Sequence, residues 1–211
     1  MNKIDFTKSA QIIFFVIILS VLSIGLVFAF SFLLEPLKNQ WYYPLIDNLG
    51  IIGAYILLFS LFDKFFWRHR IFRILSVVSV PYIGGRWKGH IESSYNGRTT
   101  KYSAFLEIEQ TFSHIKTCLY TEQSFSSSLM ADFVIAPNGR QELHYEYHNE
   151  PNEKATATMH GHDGVAKFSY KKERNELIGS YYTTSQHDRG NVGSLYFKFE
   201  SDKTCGCFDN N

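Results

Sequence analysis

The sequence predicts a membrane α-helical hairpin followed by an all-β domain, a small antiparallel meander barrel of about eight strands. Two apolar, nearly uncharged stretches occupy the N-terminal part of the chain. From about residue 85 onward, apolar and polar residues alternate with a period of two, which is typical of strands with one buried face. We therefore divide the chain into a transmembrane region, a linker, a barrel and a polar tail at 1–70, 71–84, 85–201 and 202–211.

The first apolar stretch predicts a spanning helix at about residues 10–34, because no charged residue lies between Lys8 and Glu35. A signal peptide is the alternative, but its apolar part would be only about 7–15 residues long. The second stretch is shorter and makes a span only over about 44–62, with Asp47 at the membrane interface.

Flanking charges predict the orientation of this hairpin. Lys3 and Lys8 precede the first span, and only Lys38 lies in the short connection. Four basic residues follow the second span: Lys64, Arg68, Arg70 and Arg73. By the positive-inside rule, both termini and the barrel lie in the cytoplasm.

Strand-like runs fill the second part of the chain. In one of them Leu143, Tyr145 and Tyr147 alternate with polar residues. Turn-forming sequences separate the runs: Asn96-Gly97, Pro137-Asn138-Gly139, Asn149-Glu150-Pro151-Asn152, Gly161-His162-Asp163-Gly164 and Arg189-Gly190-Asn191. Closure into a barrel removes exposed edges, and a barrel of about eight strands is filled by side chains or holds one small ligand.

Composition and motifs exclude several function classes. The formal net charge of +1 does not favour binding to a nucleic acid polymer. His144 and His148 share one face of a strand, but at about 13 Å apart they cannot chelate one ion. No Gly-x-Ser-x-Gly elbow or glycine-rich phosphate loop occurs. We expect no catalytic residues, no metal and no cofactor, and hence no enzyme.

The three cysteines lie in the part that we place in the cytoplasm, so we expect no disulfides. Cys205 and Cys207 flank a glycine near the C-terminus, where a metal ligand pair is conceivable. No second ligand pair stands beside them, and the surrounding residues are polar. A loosely held tail is therefore the expected structure.

Five motifs, taken in order behind the hairpin, make this chain resemble a known family. They are Gly85-Arg86-Trp87-Lys88-Gly89, Gln110-Thr111-Phe112, Leu143-x-Tyr145-x-Tyr147-x-Asn149-x-Pro151, Leu177-x-Gly179-x-Tyr181-Tyr182-Thr183 and Arg189-Gly190. The chain looks like the SMODS-associated two-transmembrane β-strand-rich effectors of CBASS antiphage defence, the CD-NTase-associated membrane effectors. The likeness covers essentially the whole chain.

This resemblance implies a mechanism. The barrel would bind a cyclic nucleotide, a cyclic dinucleotide, made by a partner nucleotidyltransferase (CD-NTase) during phage infection. The protein would then form a homo-oligomer, and its helices would disrupt the lipid bilayer of the bacterial inner membrane. The infected cell would die before phage replication is complete.

A nucleotide site needs aromatic platforms for bases, cations for phosphates and polar groups for base edges and ribose. The candidate ligand-binding residues are Trp87, Tyr145, Tyr147, Tyr181 and Tyr182 as platforms, Arg189, Arg86 and Arg140 for phosphates, and Thr121, Ser124, Ser126 and Asn149 for hydrogen bonds. For each of these aromatics the alternative is a place in the barrel core, and an inward tyrosine on a barrel strand is more often core than platform. Tyr181 and Tyr182 are adjacent on one strand, so at most one of them faces inward.

Two other functions remain open at this point. A membrane-tethered lipocalin-like binder of a small apolar ligand, without toxic activity, would use the same barrel with an apolar lumen. A hydrolase would require carboxylates or histidines clustered in the lumen.

Overall fold

The computed structural model describes most of the chain in two compact units. The described residues are 6–31, 35–37, 39–41, 43–74, 78, 80–94, 100–135, 140–153, 155, 159–183 and 190–208. One unit comprises Met1–Ser79 with Thr111–Ser113, and the other comprises Val80–Gln110 with His114–Asn211.

The first unit is helical. Its helices are α1 (Phe6–Ser31), α2 (Tyr43–Lys64) and the short α3 (Arg70–Ile74). The rings of Phe15 and Phe62 lie 4.3 Å apart, and the Val27 methyl groups lie 3.8 Å from the Cβ position of Gly50. The N-terminal half of α1 thus contacts the C-terminal end of α2, and the C-terminal part of α1 contacts the N-terminal part of α2. The two helices are therefore antiparallel neighbours.

Only one helix in the described part of the chain is long and apolar enough to cross a membrane, namely α1 over Ile13–Ser31. Its Ser20 and Ser23 hydroxyls donate to the carbonyls of Val16 and Leu19, which satisfies both groups without water. The predicted second span coincides with helix α2, which ends in Asp63 and Lys64. That α2 crosses a membrane remains a prediction.

The second unit is a closed barrel of eight antiparallel strands, as predicted. The strands are β1 (Gly85–Ser93), β2 (Lys101–Gln110), β3 (Ile115–Thr121), β4 (Ser124–Ile135), β5 (Gln141–Pro151), β6 (His162–Lys171), β7 (Glu176–Thr183) and β8 (Val192–Ser201). Each strand pairs with the next, and β1 pairs with β8 to close the barrel. Strand β5 continues to Pro151, so the turn predicted at Asn149–Asn152 begins later than expected.

Alternate residues of every strand point into the barrel, where they form one apolar core. Its members are Ile83, Trp87, Ala104, Leu106, Ile108, Leu143, Tyr145, Tyr147, Ala166, Phe168, Leu177, Leu195 and Phe197. Trp87 packs edge to face against Phe199 and Tyr170 and donates to the carbonyl of Ile83. The side-chain amide of Gln110 accepts from the Ile83 N–H. These contacts fill the end of the barrel where β1 begins, hereafter the closed end.

One seam of the barrel is incomplete. Strands β3 and β4 pair over only three residue pairs, from Cys118 with Ser127 to Tyr120 with Phe125. A bulge between Ser128 and Met130 then directs β4 away from β3, while β4 stays paired with β5 as far as Ile135. The edge of β4 over residues 129–135, which faces β3, is therefore not paired in the ladder.

The C-terminal tail departs from expectation. Cys205 and Cys207 form a disulfide, and Cys118 is free. The prediction of no disulfide was wrong, because Gly206 adopts a positive φ of 71° that reverses the chain and brings the two cysteines together. The tail also contacts the barrel wall through Cys205, Cys207 and Phe208. It is not the loose segment that its polar composition suggested.

Candidate functional site

The end of the barrel opposite the closed end is lined by polar and aromatic side chains. In an antiparallel meander, the last residues of odd-numbered strands meet the first residues of even-numbered strands at one end. This end, hereafter the polar end, has His162 and Thr183 at its rim, and eight further inward-facing residues line it: Ser93, Tyr102, Thr121, Ser124, Ser126, Tyr147, Asn149 and Tyr181. Six of these eight residues are candidates from the sequence.

Hydrogen bonds organise one side of the polar end. The Thr121 hydroxyl accepts from the backbone N–H of Ser124 at 2.9 Å and lies 3.0 Å from the Ser124 hydroxyl. The Ser126 hydroxyl donates to Asn149 Oδ1 at 2.9 Å. This pairing follows from register, since Ser126 lies directly opposite Asn149 on β5. The alternating serines of β4 therefore place two hydroxyls on the lumen wall, and the pairing with β5 places the Asn149 amide beside them.

Asn149 has hydrogen-bonding capacity to spare. The residue is only 4% exposed, and its Nδ2 donates to the thioether sulfur of Met159 at 3.7 Å. A thioether is a weak acceptor. A ligand oxygen or ring nitrogen would be a stronger acceptor for this buried amide.

Two tyrosines form the other side of the polar end, and each lies over a glycine of the neighbouring strand. Tyr147 is paired with Gly164, and a Cβ at that glycine would lie 2.4 Å from the tyrosine Oη. Tyr181 is paired with Gly193, where a Cβ would lie 2.2 Å from its Cε1. The two glycines thus give the rings room to lie along the wall. Planar rings in this position can stack on a nucleobase.

Electrostatics distinguish this end from a phosphate site. None of the inward-facing strand residues that the structure describes there is a lysine, arginine, aspartate or glutamate, and the one histidine among them is His162, opposite Asn149. Burial raises the pKa of both Tyr147 and Tyr181, so their hydroxyls stay protonated at physiological pH. The polar end can therefore donate and accept hydrogen bonds and stack aromatic rings, and among its described inward residues only His162 could carry a positive charge toward an anion.

Two residues of this end escaped sequence reasoning. Ser93 hydrogen-bonds to Tyr181, and Tyr102 is close enough to influence the pKa of Tyr181. The period of two on β1 and β2 assigns both to the inward face. The pattern does not give the position of a residue along the barrel axis, because that position depends on strand register.

The remaining aromatic candidates lie elsewhere. Trp87 is part of the packing at the closed end. Tyr145 lies in the middle of the core, where it stacks on Phe168 with ring centroids 6.1 Å apart. Tyr182 faces outward and is 53% exposed. Trp87 and Tyr182 are not brought together with the polar end, whereas Tyr145 lies next to it, with its ring centroid 5.9 Å from that of Tyr147. The sequence did not separate these positions, because an inward aromatic on a strand has the same sequence pattern whether it is core or platform.

The candidate phosphate-binding arginines do not lie together in the structure. Arg86 lies on the outer wall with Glu107 and Glu200, so it cannot reach a ligand in the lumen. Arg140 precedes β5 and lies at the closed end. Arg189 lies outside the described residues, just before Gly190 and the start of β8 at the polar end.

Comparison with known protein families gives one match. Residues 78–199, more than half of the chain, match the family model described as Cap15, cyclic dinucleotide receptor domain. The matched region begins just before β1 and ends within β8. No curated protein matches the chain.

Proposed function

The chain belongs to the family of the Cap15 cyclic dinucleotide receptor domain, and on this premise we propose that it is the membrane effector of a CBASS antiphage system. Its barrel binds a cyclic dinucleotide, and this binding event triggers its activity. The observation that carries the proposal is the polar end, where stacking rings and neutral hydrogen-bonding groups line the lumen of a domain matched to this receptor family.

The shortage of positive charge at the polar end suggests how the ligand is oriented. Two phosphates buried there would lose their hydration, and His162 is the one described inward strand residue that could offset part of this loss. Bases and ribose hydroxyls gain from the same surroundings, since a stacked base contributes about 1–3 kcal/mol. We therefore place a base between Tyr147 and Tyr181, with Asn149 and Ser126 at its edge. The phosphates then face the mouth, where β7 ends and β8 begins, and Arg189 lies between these two strands in the sequence.

The helical unit supplies the effector in this proposal. Helices α1 and α2 form a two-span hairpin in the bacterial inner membrane, with both termini in the cytoplasm, as the flanking basic residues favour. The hairpin disrupts the bilayer once several copies assemble, and the infected cell dies. No catalytic residue or cofactor takes part. The ligand drives assembly by binding the assembled state more tightly.

The open seam of the barrel supports a role for β4 in assembly. The unpaired edge at 129–135 carries the exposed side chains of Leu129, Met130 and Val134. A free, apolar strand edge of this kind pairs readily with another strand. Two copies related by a two-fold axis can pair their β4 edges antiparallel.

Titration tests the receptor proposal. The full chain in detergent is titrated calorimetrically with a panel of cyclic dinucleotides, and with the linear dinucleotides of the same bases as controls. At least one cyclic compound is expected to bind, with the linear form weaker because it loses more conformational freedom. Failure of every cyclic dinucleotide, together with binding of an apolar small molecule, would establish the lipocalin-like alternative instead.

Assembly through β4 is tested with charges at its edge. Met130→Lys and Val134→Lys are expected to abolish the ligand-induced increase in mass seen by light scattering, while the affinity for the ligand stays unchanged. Val192→Lys is the matched control, because Val192 is also exposed but lies on a strand paired on both sides. If both β4 variants assemble like the unmodified chain, β4 is not the contact.

A further inference from the structure

A buried ion pair lies on the outside of the barrel, under the C-terminal tail. Arg86 and Glu107 both point outward from β1 and β2, yet each is only 5% exposed. Arg86 Nη1 donates to Glu107 Oε1 at 2.5 Å, and Arg86 Nε donates to Glu200 Oε2 at 3.1 Å. A charged pair on an outer wall is normally solvated, so its burial depends on what covers it.

The tail provides this cover through direct contacts. Glu107 accepts the backbone N–H of Cys205 at 2.7 Å and that of Gly206 at 3.0 Å. Arg86 Nη1 donates to the carbonyl of Cys207 at 3.0 Å. Consecutive N–H groups that converge on one carboxylate form an anion-binding nest, and hydrogen bonds to a charged acceptor are the stronger kind.

An aromatic contact extends the cover. Phe105 also points outward from β2, but it is only 3% exposed. The Arg86 guanidinium lies 4.0 Å from the centre of its ring, and the ring of Phe208 meets it edge to face at 5.5 Å. Removal of the tail would therefore expose an apolar ring together with the ion pair.

The disulfide holds the part of the tail that makes these contacts. It closes a loop of three residues around Gly206, whose positive φ orients both N–H groups toward Glu107. Glycine has the greatest conformational freedom of any residue, so an open form of this loop would rarely present the same geometry. Both cysteines are exposed to solvent although the groups they hold in place are buried.

We infer that the Cys205–Cys207 disulfide is a redox switch that fastens the tail to the barrel wall. A dithiol reductant opens it by thiol–disulfide exchange: the S–S bond between the cysteines breaks, both become thiols, and the reductant becomes a disulfide. The reduced tail then leaves Glu107, Arg86 and Phe105 open to solvent. Disulfides of cytoplasmic proteins are usually transient and redox-sensing, which fits this role.

The third cysteine lies close by but plays no part in this switch. Cys118 lines the same cleft, of about 270 Å³, as Cys205, Gly206 and Glu107. Burial raises the pKa of the Cys118 thiol, so it remains protonated and a poor nucleophile toward the disulfide. The reductant therefore comes from outside the protein.

Hydrogen exchange of the full chain in detergent, without ligand, tests the switch. Treatment with dithiothreitol is expected to accelerate exchange of the Cys205 and Gly206 amides by about tenfold or more, since their hydrogen bonds to Glu107 are lost. The amides of β5 and β6 serve as the internal control for an intact barrel. They are expected to exchange at the same rate in both states.

Variants separate the switch from a general loss of structure. Cys205→Ser with Cys207→Ser is expected to exchange fast with or without reductant, whereas Cys118→Ser is expected to respond like the unmodified chain. Equal protection of the tail in the oxidised and reduced protein would overturn the inference. So would a double serine variant as protected as the oxidised chain. No ligand is used, so these outcomes are independent of the proposed receptor function.

Discussion

Replacing Tyr181 with alanine is expected to weaken cyclic dinucleotide binding by roughly 5- to 150-fold, equivalent to the loss of about 1–3 kcal/mol of base stacking. The ring lies along the lumen wall over Gly193, where it is available to a base entering the polar end. Calorimetric titration of the full chain in detergent gives the dissociation constant.

The adjacent residue provides a matched control. Tyr182→Ala removes the same ring from the same strand, but this ring faces solvent, so the affinity is expected to stay within about twofold. Tyr181→Phe separates the ring from its hydroxyl. It keeps the stacking surface and loses only the hydrogen bond with Ser93, so it is expected to retain most of the affinity. Equal losses in the Tyr181 and Tyr182 alanine variants would place the ligand outside the polar end.

The second large effect concerns stability. Arg86→Met is expected to lower the free energy of unfolding of the barrel by about 3–5 kcal/mol, because it leaves the buried Glu107 carboxylate without its cation. The methionine has a similar shape and can still cover the Phe105 ring, so the loss is mainly electrostatic. Thermal unfolding followed by circular dichroism measures the change.

Two further variants make this prediction specific. Lys88→Met, on the same face of β1 but with a side chain 52% exposed, is expected to change stability by less than about 1 kcal/mol. Arg86→Met combined with Glu107→Gln removes both charges and is expected to recover much of the stability, since a neutral pair has little desolvation cost. If the single and double variants are equally unstable, packing rather than charge explains the effect.

Sequence reasoning predicted the barrel well because its strands carry a strict period of two. This pattern specifies which face of each strand is buried, and it correctly required that at most one of Tyr181 and Tyr182 faces inward. Thr121, Ser124, Ser126 and Asn149 were candidates because they belong to the motifs that carry the family resemblance, and strand register places them together in the structure. Local alternation was sufficient here because each strand pairs with the next one in sequence, and only the β1–β8 closure joins distant strands.

What could not be predicted depends on contacts between residues distant in sequence. The period of two is the same for Trp87 at the closed end and Tyr147 at the polar end. The pattern therefore could not predict at which end of the barrel an inward residue lies. Arg86 fits the pattern of an outward, solvated residue, and its burial results from Cys207 and Phe208 more than 100 residues later. A polar composition cannot show that the tail docks.

The pairing of β1 with β8 has a consequence for the order in which the protein is made. It joins two segments separated by about 100 residues, so the barrel cannot close until the last strand has left the ribosome. Helix α1 emerges long before that point. During translation every copy therefore passes through a stage with a complete apolar helix and no finished receptor. In the proposed mechanism, synthesis therefore delivers that helix to the membrane before the barrel that controls it is complete.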